Sequence, residues 1–115
     1  MRRELRLKAS KDFARVYSKG KSTGNKYLVL YYLYQDSAEP TKVGFSISKK
    51  VGSAVVRNQL KRRLGEIVSE HLEVLKPGYL MVFIAKRSSC DLDFQQLRAS
   101  ANDLLKKSGT IGRPA

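Results

Sequence analysis

Cysteine and histidine are almost absent from this sequence of 115 residues, which has one of each, Cys90 and His71. A single cysteine cannot form an intrachain disulfide, which is typical of a reducing compartment. One histidine and one cysteine are too few ligands for a zinc site, and no acidic cluster favours a divalent ion. Although Glu70 precedes His71, no catalytic constellation accompanies the pair. We therefore expect no protein-bound cofactor or metal, no catalytic residues in the protein, a surface helix position for His71 and a helix-entry or packing role for Cys90.

Long apolar segments are also absent. The longest runs, over residues 27–34 and 79–85, are much shorter than the ~20 residues of a membrane-spanning helix. The N-terminus has two arginines among residues 1–4 and continues into mixed polar sequence, without the apolar core of a signal peptide. The sequence therefore predicts a cytoplasmic protein that does not act at a membrane.

Acidic residues are scarce relative to basic ones. Ten Asp and Glu stand against 23 Lys and Arg, which gives a formal net charge of +13. A surplus of this size repels itself unless a polyanion offsets it. Since a membrane is disfavoured, the charge predicts a nucleic acid as the partner.

The apolar pattern predicts one α+β domain over residues 1–115, with one sheet and helices packed on it. The predicted elements are, in order, a helix over 10–20, strands over 27–34 and 42–48, a helix over 55–71, a strand over 79–86 and a helix over 94–105. Ser10 is the expected N-cap of the first helix and Gly20 its C′ residue, while residues 90–93 supply an N-cap for the last helix. The first two strands are expected to form a hairpin across a short polar loop. Residues 108–115, with two glycines and a proline, are expected to form a flexible tail.

The charge is concentrated between residues 40 and 65, a segment without Asp or Glu. Its cations are Lys42, Lys49, Lys50, Arg57, Lys61, Arg62 and Arg63. On a helical wheel Arg57, Lys61 and Arg62 share one arc with Asn58, opposite an apolar stripe, and Arg63 lies at the border. Like charges at i, i+4 destabilise a helix by about 0.2–0.5 kcal/mol, a repulsion that phosphate groups would remove. The pattern predicts an RNA-binding helix, and the alternative is a merely basic surface helix.

Aromatic residues accompany further cations in the N-terminal third. The rings are Phe13, Tyr17, Tyr27, Tyr31, Tyr32 and Tyr34. Single-stranded nucleic acid is bound by aromatic faces beside basic groups. On the predicted strand Val29 and Tyr31 point to the same face as Tyr27 and Leu33, and Leu28, Leu30, Tyr32 and Tyr34 point to the other. The alternative interpretation is that these rings simply pack in the core.

Residues 44–52 and 54–62, GFSISKKVG and AVVRNQLKR, resemble the signature of the protein subunit of bacterial ribonuclease P. Shorter matches in the same order and spacing extend the resemblance to about residues 4–107; they are Arg6-Leu7, Asp12-Phe13, Val16-Tyr17, Gly20-Lys21-Ser22 and Leu30-Tyr31. The resemblance implies an α/β sandwich of order α-β-β-β-α-β-α, which is ribosomal-protein-S5-domain-2-like. It also implies a left-handed β-α-β crossover, an exception to the general right-handed rule.

The resemblance further implies a function. The partner RNA carries the active site and its magnesium ions, the holoenzyme is an endoribonuclease that removes the 5′ leader of precursor tRNA, and one protein monomer binds one RNA. Carried over by position, the residues that face the catalytic RNA are Arg57, Asn58, Lys61 and Arg62, with Lys49 and Lys50 near the junction. The residues that line a cleft for the single-stranded leader are Phe13, Tyr17, Val29, Tyr31 and Ser46. Stacking on rings tolerates any base, which suits leaders of variable sequence.

The chain departs from the family pattern at Gly65, where Lys or Arg is expected. This position lies on the basic arc, so a phosphate contact is lost, and glycine inside a helix costs roughly 1 kcal/mol relative to alanine. Either the chain docks more weakly on RNA or the helix bends there. The lost contact predicts that Gly65→Arg tightens binding to the catalytic RNA.

A ribosomal or general structured-RNA-binding protein is the alternative function, because its charge would be similar. Such a protein would not need the aromatic cleft or the Arg57-Asn58 spacing. A DNA-binding module is disfavoured because the sequence has no helix-turn-helix spacing.

Overall fold

In the computed structural model, which describes residues 5–112, three helices pack on one four-stranded sheet. The elements are helix α1 (Ser10–Lys19), strands β1 (Lys21–Gly24), β2 (Leu28–Tyr34) and β3 (Lys42–Ile47), helix α2 (Ala54–Ser69), strand β4 (Tyr79–Ala85) and helix α3 (Phe94–Ser108). One 3₁₀ turn, Lys49–Val51, precedes α2, and another, Arg87–Ser89, follows β4. Every helix and strand predicted from the residue pattern is present, and so is the additional strand β1 that only the family resemblance implied.

The strand order of the sheet is β1-β2-β4-β3. Strand β4 runs antiparallel to β2, with Leu30 opposite Phe83, and parallel to β3, with Phe45 opposite Phe83. The predicted hairpin of β2 and β3 is therefore wrong, because β4, an uninterrupted apolar run, takes the central place between them. Helix α2 makes the crossover between the parallel strands β3 and β4. The left-handed sense of this crossover stays a prediction from the resemblance.

Alternating side chains divide the sheet into two unequal faces. The larger core buries residues of β2, β3 and β4 against α2 and α3; its members include Leu28, Leu30, Val43, Met81, Phe83, Leu60, Leu64, Ile67, Leu97 and Leu104. On the other face, within residues 5–112, cover comes from α1 and the segment before it, through Val16 and Leu7 against Leu80 and Val82. Since one short helix cannot cover four strands, part of this second face stays open. The candidate site lies on this open part of the sheet.

Helix α1 turns directly into β1. Its N-cap is Ala9 instead of the predicted Ser10, and no side chain caps it. It ends at Lys19, and the following Gly20 is its C-cap, with an extended backbone (φ −79°) and not the left-handed conformation of a C′ glycine. Glycine is required there for space, because a Cβ would lie 2.5 Å from the carbonyl oxygen of Val16 and 2.7 Å from that of Tyr32.

The predicted flexible tail is wrong for residues 108–112. Ser108 is the last residue of α3, and Gly109 ends the helix in the left-handed conformation (φ 70°). Thr110 is buried, and its carbonyl oxygen accepts a hydrogen bond from the backbone N–H of Lys76 at 2.8 Å. Ile111 then forms an antiparallel β-bridge with Leu75. Residues 113–115 lie outside the described part of the chain.

The two singular residues have packing roles. Helix α2 ends at Ser69, so His71 lies in the following turn and not on the helix surface; it is half-buried, with Nε2 2.7 Å from Oδ1 of Asn102 on α3. Cys90 is half-buried against the larger core, which supports a packing role. Within the segment 90–93 that was predicted to supply the N-cap of α3, the cap is Asp93, which accepts a hydrogen bond from the backbone N–H of Gln96 in a capping box.

Asn25 joins the turn between β1 and β2 to α3. Its Oδ1 accepts hydrogen bonds from the backbone N–H groups of Tyr27 and Leu28 and from the Ser100 hydroxyl, each at 3.0 Å. Its Nδ2 donates to the Ser100 carbonyl at 3.0 Å and to Asp103 at 3.2 Å. We expect Asn25→Ala to lower the free energy of unfolding by about 2–3 kcal/mol, since each partly buried partner left unpaired costs ~1–3 kcal/mol. Urea denaturation measures this loss.

The pH dependence of this loss gives an independent check. Hydrogen bonds from Asn25, and then from Lys107, hold the pKa of the Asp103 carboxyl below its usual value. A carboxyl with a lowered pKa stabilises the fold at pH values above the usual carboxyl pKa. This contribution disappears as the pH falls through the folded-state pKa. The deficit of Asn25→Ala should therefore shrink in acid. Lys21→Ala, at an exposed position of β1, is the control, and an equal deficit in both variants would contradict the prediction.

Candidate nucleic-acid interface

The exposed side of α2 is basic, as the helical wheel predicts. Asn58, Lys61 and Arg62 are exposed, and Arg57 and Arg63 are half-buried. The apolar stripe on the opposite side is buried; its fully covered members are Leu60, Leu64 and Ile67. We call the surface formed by Arg57, Asn58, Lys61 and Arg62 the basic face.

The cations of the basic face have no acidic partners in residues 5–112. The salt bridges in this range are Arg15–Asp12, Arg98–Glu70 and Lys107–Asp103, all on other elements. Within the same range the Nε of Arg57 is buried and makes no hydrogen bond, and such an unmet donor ordinarily costs ~1–3 kcal/mol. The fold therefore holds a row of cations without a salt-bridge partner, which is the condition that a polyanionic ligand relieves.

Lys49 and Lys50 extend the basic surface at the start of α2. They lie exposed in the 3₁₀ turn, where the Ser48 hydroxyl accepts a hydrogen bond from the backbone N–H of Lys50 at 3.3 Å and buried Val51 anchors the turn. The turn packs against α2 and against the turn Arg87–Ser89. Exposed Arg87 thereby joins this cluster, a residue that the sequence reasoning missed. Because β3 and β4 are parallel neighbours, the residues that follow both strands meet at one end of the sheet.

An aromatic cleft lies between α1 and the open face of the sheet. The ring of Tyr17 packs edge-on against Tyr31, with 5.2 Å between centroids and an interplanar angle of 82°. The ring of Phe13 lies 6.4 Å from that of Tyr17. Tyr17 is 39% exposed, whereas Phe13 and Tyr31 are half-buried. The structure thus brings the three predicted rings together, with Tyr17 most accessible to a ligand.

The floor of the cleft is a row of side chains across three strands. Val29 on β2 is opposite Ile84 on β4, which is opposite Ser46 on β3, and all three are half-buried. Further along β4, Leu80 and Val82 are buried beneath α1. The row therefore marks where the helix stops covering the sheet. Ile84 was not among the predicted cleft residues, because a uniformly apolar strand gives no register.

A pocket of about 590 Å³ lies between α2 and the segment before α1. Its lining includes Arg6 and Lys8 from that segment, Phe13 from α1, and Asn58, Lys61, Arg62, Gly65 and Glu66 from α2. A Cβ built on Gly65 meets no atom within 4 Å, so this position opens into empty space. Helix α2 continues unbroken through Gly65 to Ser69. The pocket connects the basic face to the ring of Phe13 at the end of the aromatic cleft.

Within residues 5–112 no helix combines the length and the apolar character that crossing a bilayer requires. In the same range no three or more His, Cys, Asp or Glu side chains are grouped in a way that could hold a metal ion.

Together the fold and these surfaces define a small α+β domain with a basic helix beside an aromatic cleft. A family model described as Ribonuclease P matches residues 1–109. The chain is 38% identical over 113 residues to the ribonuclease P protein component of Symbiobacterium thermophilum, which covers 98% of each chain. It is 44% identical over 103 residues to that of Clostridioides difficile, covering 89% of this chain and 90% of the relative.

A solved structure agrees with these relatives. The structure of the Staphylococcus aureus RNase P protein matches with a TM-score of 0.88 at 30% identity, covering 94% of this chain and 98% of that one. The chain therefore belongs to the ribonuclease P protein family, whose members are RNA-binding protein components of a tRNA-processing ribonucleoprotein. The predicted α+β fold is confirmed by the same match.

Proposed function

We propose that this chain binds ribonuclease P RNA through the basic face and the 5′ leader of precursor tRNA in the aromatic cleft. By doing so it assists the endonucleolytic removal of the leader. The observation that carries the proposal is the pairing of two distinct surfaces on one small domain: a row of cations without acidic partners in residues 5–112, and beside it a cluster of three rings of which Tyr17 is the most accessible.

The basic face suits a structured RNA. Arg57, Lys61 and Arg62 project from one rigid helix, so their spacing is fixed before RNA arrives. Arginine donates two parallel hydrogen bonds to a phosphate, and lysine adds a compact charge. Lys49, Lys50 and Arg87 continue the charge toward the open end of the sheet, where the two proposed RNA ligands would meet.

The aromatic cleft suits a single strand of variable sequence. Each base has a π-face that can stack on an accessible ring such as Tyr17, and this contact does not depend on base identity. Val29 and Ile84 offer apolar contact on the floor, and Ser46 offers a hydroxyl. Hydrogen bonding to base edges would instead restrict the leaders that the protein accepts.

The bond cleavage is assigned to the RNA partner and its magnesium ions. The protein surfaces described above are cationic, and a cationic surface does not by itself attract Mg²⁺. In this proposal the protein lowers the repulsion between two RNA molecules, acting in the cytoplasm as one monomer on one catalytic RNA. Fewer magnesium ions are then needed to bring substrate and catalyst together.

Reconstitution tests this proposal. Adding the protein to a ribonuclease P RNA at low magnesium concentration is expected to raise the rate of precursor tRNA cleavage, measured by release of the leader. The protein without the RNA is expected to release none. A mixture no faster than the RNA alone would favour a general structured-RNA-binding role, and cleavage by the protein alone would place chemistry in the chain.

A further inference from the structure

We propose that the pocket beside Gly65 binds one unstacked guanosine nucleotide of the RNA partner. The inference rests on the proposed RNA-binding function and adds to it a recognised base at a defined place. It concerns the concave site between α2 and the segment before α1, which shares Asn58, Lys61 and Arg62 with the basic face.

The dimensions and floor of the pocket suit a nucleoside. Its volume of about 590 Å³ lies within the ~300–1,000 Å³ typical of small-ligand sites. Phe13 contributes an apolar ring to the lining, and Gly44 makes room for that ring, because a Cβ at Gly44 would lie 2.5 Å from Cζ of Phe13. A base that leaves its stack loses aromatic contact, and the ring of Phe13 offers a replacement.

Charge on the rim suits the phosphate groups on either side of that nucleotide. Four cations line the pocket from two different elements; they are Arg6, Lys8, Lys61 and Arg62. Arg6 belongs to a segment fixed on the edge of β3 by its bridge to Val43, so the two cationic sides are held at a set separation. A nucleotide between them would bring its own two phosphates within reach of both sides.

A carboxylate among these cations indicates that the ligand is more than a phosphate. Glu66 is exposed and lines the pocket, yet it takes part in none of the salt bridges found between described residues. Its charge would weaken a site for phosphate alone. Guanine presents two adjacent N–H donors, N1–H and N2–H, which match the two oxygens of one carboxylate. Adenine, cytosine and uracil each present a single donor group to such a partner, so the pair favours guanine.

Gly65 keeps the pocket open in this chain. The lysine or arginine that the family pattern has here would start from a Cβ that points into the empty space. Gly65→Arg would add a phosphate contact, which strengthens RNA binding. It would also fill part of the pocket, which weakens RNA binding. The uncharged substitution Gly65→Leu therefore isolates the role of the pocket, and Gly65→Ala, which adds one methyl group, controls for helix propensity.

The test on the free protein is a titration of the isotope-labelled full chain, followed by NMR. The probes are guanosine, adenosine, cytidine and uridine 5′-monophosphate, and inorganic phosphate. Guanosine monophosphate is expected to bind at least about tenfold more tightly than each of the other probes, because a bidentate hydrogen-bonded pair discriminates between bases by a factor of this size. Its binding should change the chemical shifts of Glu66 and Phe13. Equal affinity of all five probes would overturn the proposal and leave a site for phosphate alone.

Variants make the test specific. Glu66→Gln is expected to reduce the preference for guanosine over adenosine monophosphate to less than twofold, with inorganic phosphate bound no more weakly than before. Gly65→Leu is expected to abolish guanosine monophosphate binding, and Gly65→Ala to keep it. The dispersion of the NMR spectrum shows that each variant is folded. An unchanged preference in Glu66→Gln would overturn the assignment of Glu66.

A measurement of RNA binding distinguishes failure of this inference from failure of the proposed function. Gly65→Leu is expected to bind ribonuclease P RNA at least fivefold more weakly than Gly65→Ala. If both variants bind that RNA equally, the pocket inference fails while the proposed function stands. If even the unsubstituted chain fails to bind that RNA, the proposed function fails, whatever the mononucleotide titration shows.

Discussion

Replacing Lys61 and Arg62 together by alanine is expected to weaken binding to ribonuclease P RNA by about 100-fold or more. Both side chains are exposed on α2, and within residues 5–112 neither pairs with a carboxylate. A hydrogen bond to a charged group contributes ~1.5–3 kcal/mol, so two lost phosphate contacts exceed the 2.7 kcal/mol that corresponds to about 100-fold. Filter binding or a mobility shift at fixed salt concentration measures the affinity.

Salt dependence and a matched control decide whether this loss reflects the basic face or only the net charge. Each neutralised phosphate contributes about 0.7–0.9 to the slope of log K against log salt, so the variant, which loses two phosphate contacts, should lose about 1.4–1.8 units of slope. Lys76→Ala with Lys106→Ala removes the same charge at exposed positions off the basic face. Equal weakening by the two double variants would mean that the basic face has no special role.

The basic face was predictable because a single helix defines it. Which side of α2 is buried depends on the spacing of Leu60, Leu64 and Ile67, and that spacing is local. The separation of β2 from β3 in the sheet was not predictable in the same way. A short polar loop between two strands is compatible with a hairpin, and only the placement of β4 between them, more than 30 residues later in the chain, decides against it.

The cleft required information that the residue pattern lacks. The pattern placed Val29 and Tyr31 on one face of a strand, but it did not distinguish core rings from ligand-binding rings. Packed and accessible rings both occur: Tyr32 packs against the larger core, while Tyr17 stays 39% exposed beside Tyr31. Whether a ring is buried or accessible depends on how much of the sheet the short helix α1 covers, and this is a property of the whole sheet. The family resemblance supplied that assignment for the rings, and the strand register adds Ile84.

The packed segment 108–112 was missed for a related reason. Two glycines and a proline within residues 108–115 are typical of a frayed end. In the structure one of those glycines, Gly109, ends α3 in the left-handed conformation and directs Thr110 into contact with the turn before β4. The same composition is therefore compatible with a frayed tail or with a helix cap followed by a packed segment. A distant partner, the backbone of Lys76, decides between the two.

Removing the exposed ring of the cleft is expected to act on the substrate and not on the catalytic RNA. Tyr17→Ala should lower the preference of the reconstituted holoenzyme for precursor tRNA over mature tRNA by about 5- to 150-fold, since one stacked base contributes ~1–3 kcal/mol. Tyr31→Ala should have an effect in the same direction, because the two rings are in edge-to-face contact. Affinity for ribonuclease P RNA alone should change less than twofold. Equilibrium binding of both tRNA forms to the holoenzyme measures the preference.

A matched control lies on the same strand as Tyr31. Tyr34 is 55% exposed, but it is three residues from Tyr31 along β2 and so faces the opposite side of the sheet, where its ring packs against Tyr79 at 5.2 Å. Tyr34→Ala removes as much aromatic surface as Tyr17→Ala and should leave the preference for the leader unchanged. If Tyr34→Ala and Tyr17→Ala reduced that preference equally, aromatic content and not the cleft would be responsible. If Tyr17→Ala instead weakened binding to the catalytic RNA as Lys61→Ala with Arg62→Ala does, the chain would have one RNA surface, because two separate surfaces require the two losses to fall on different ligands.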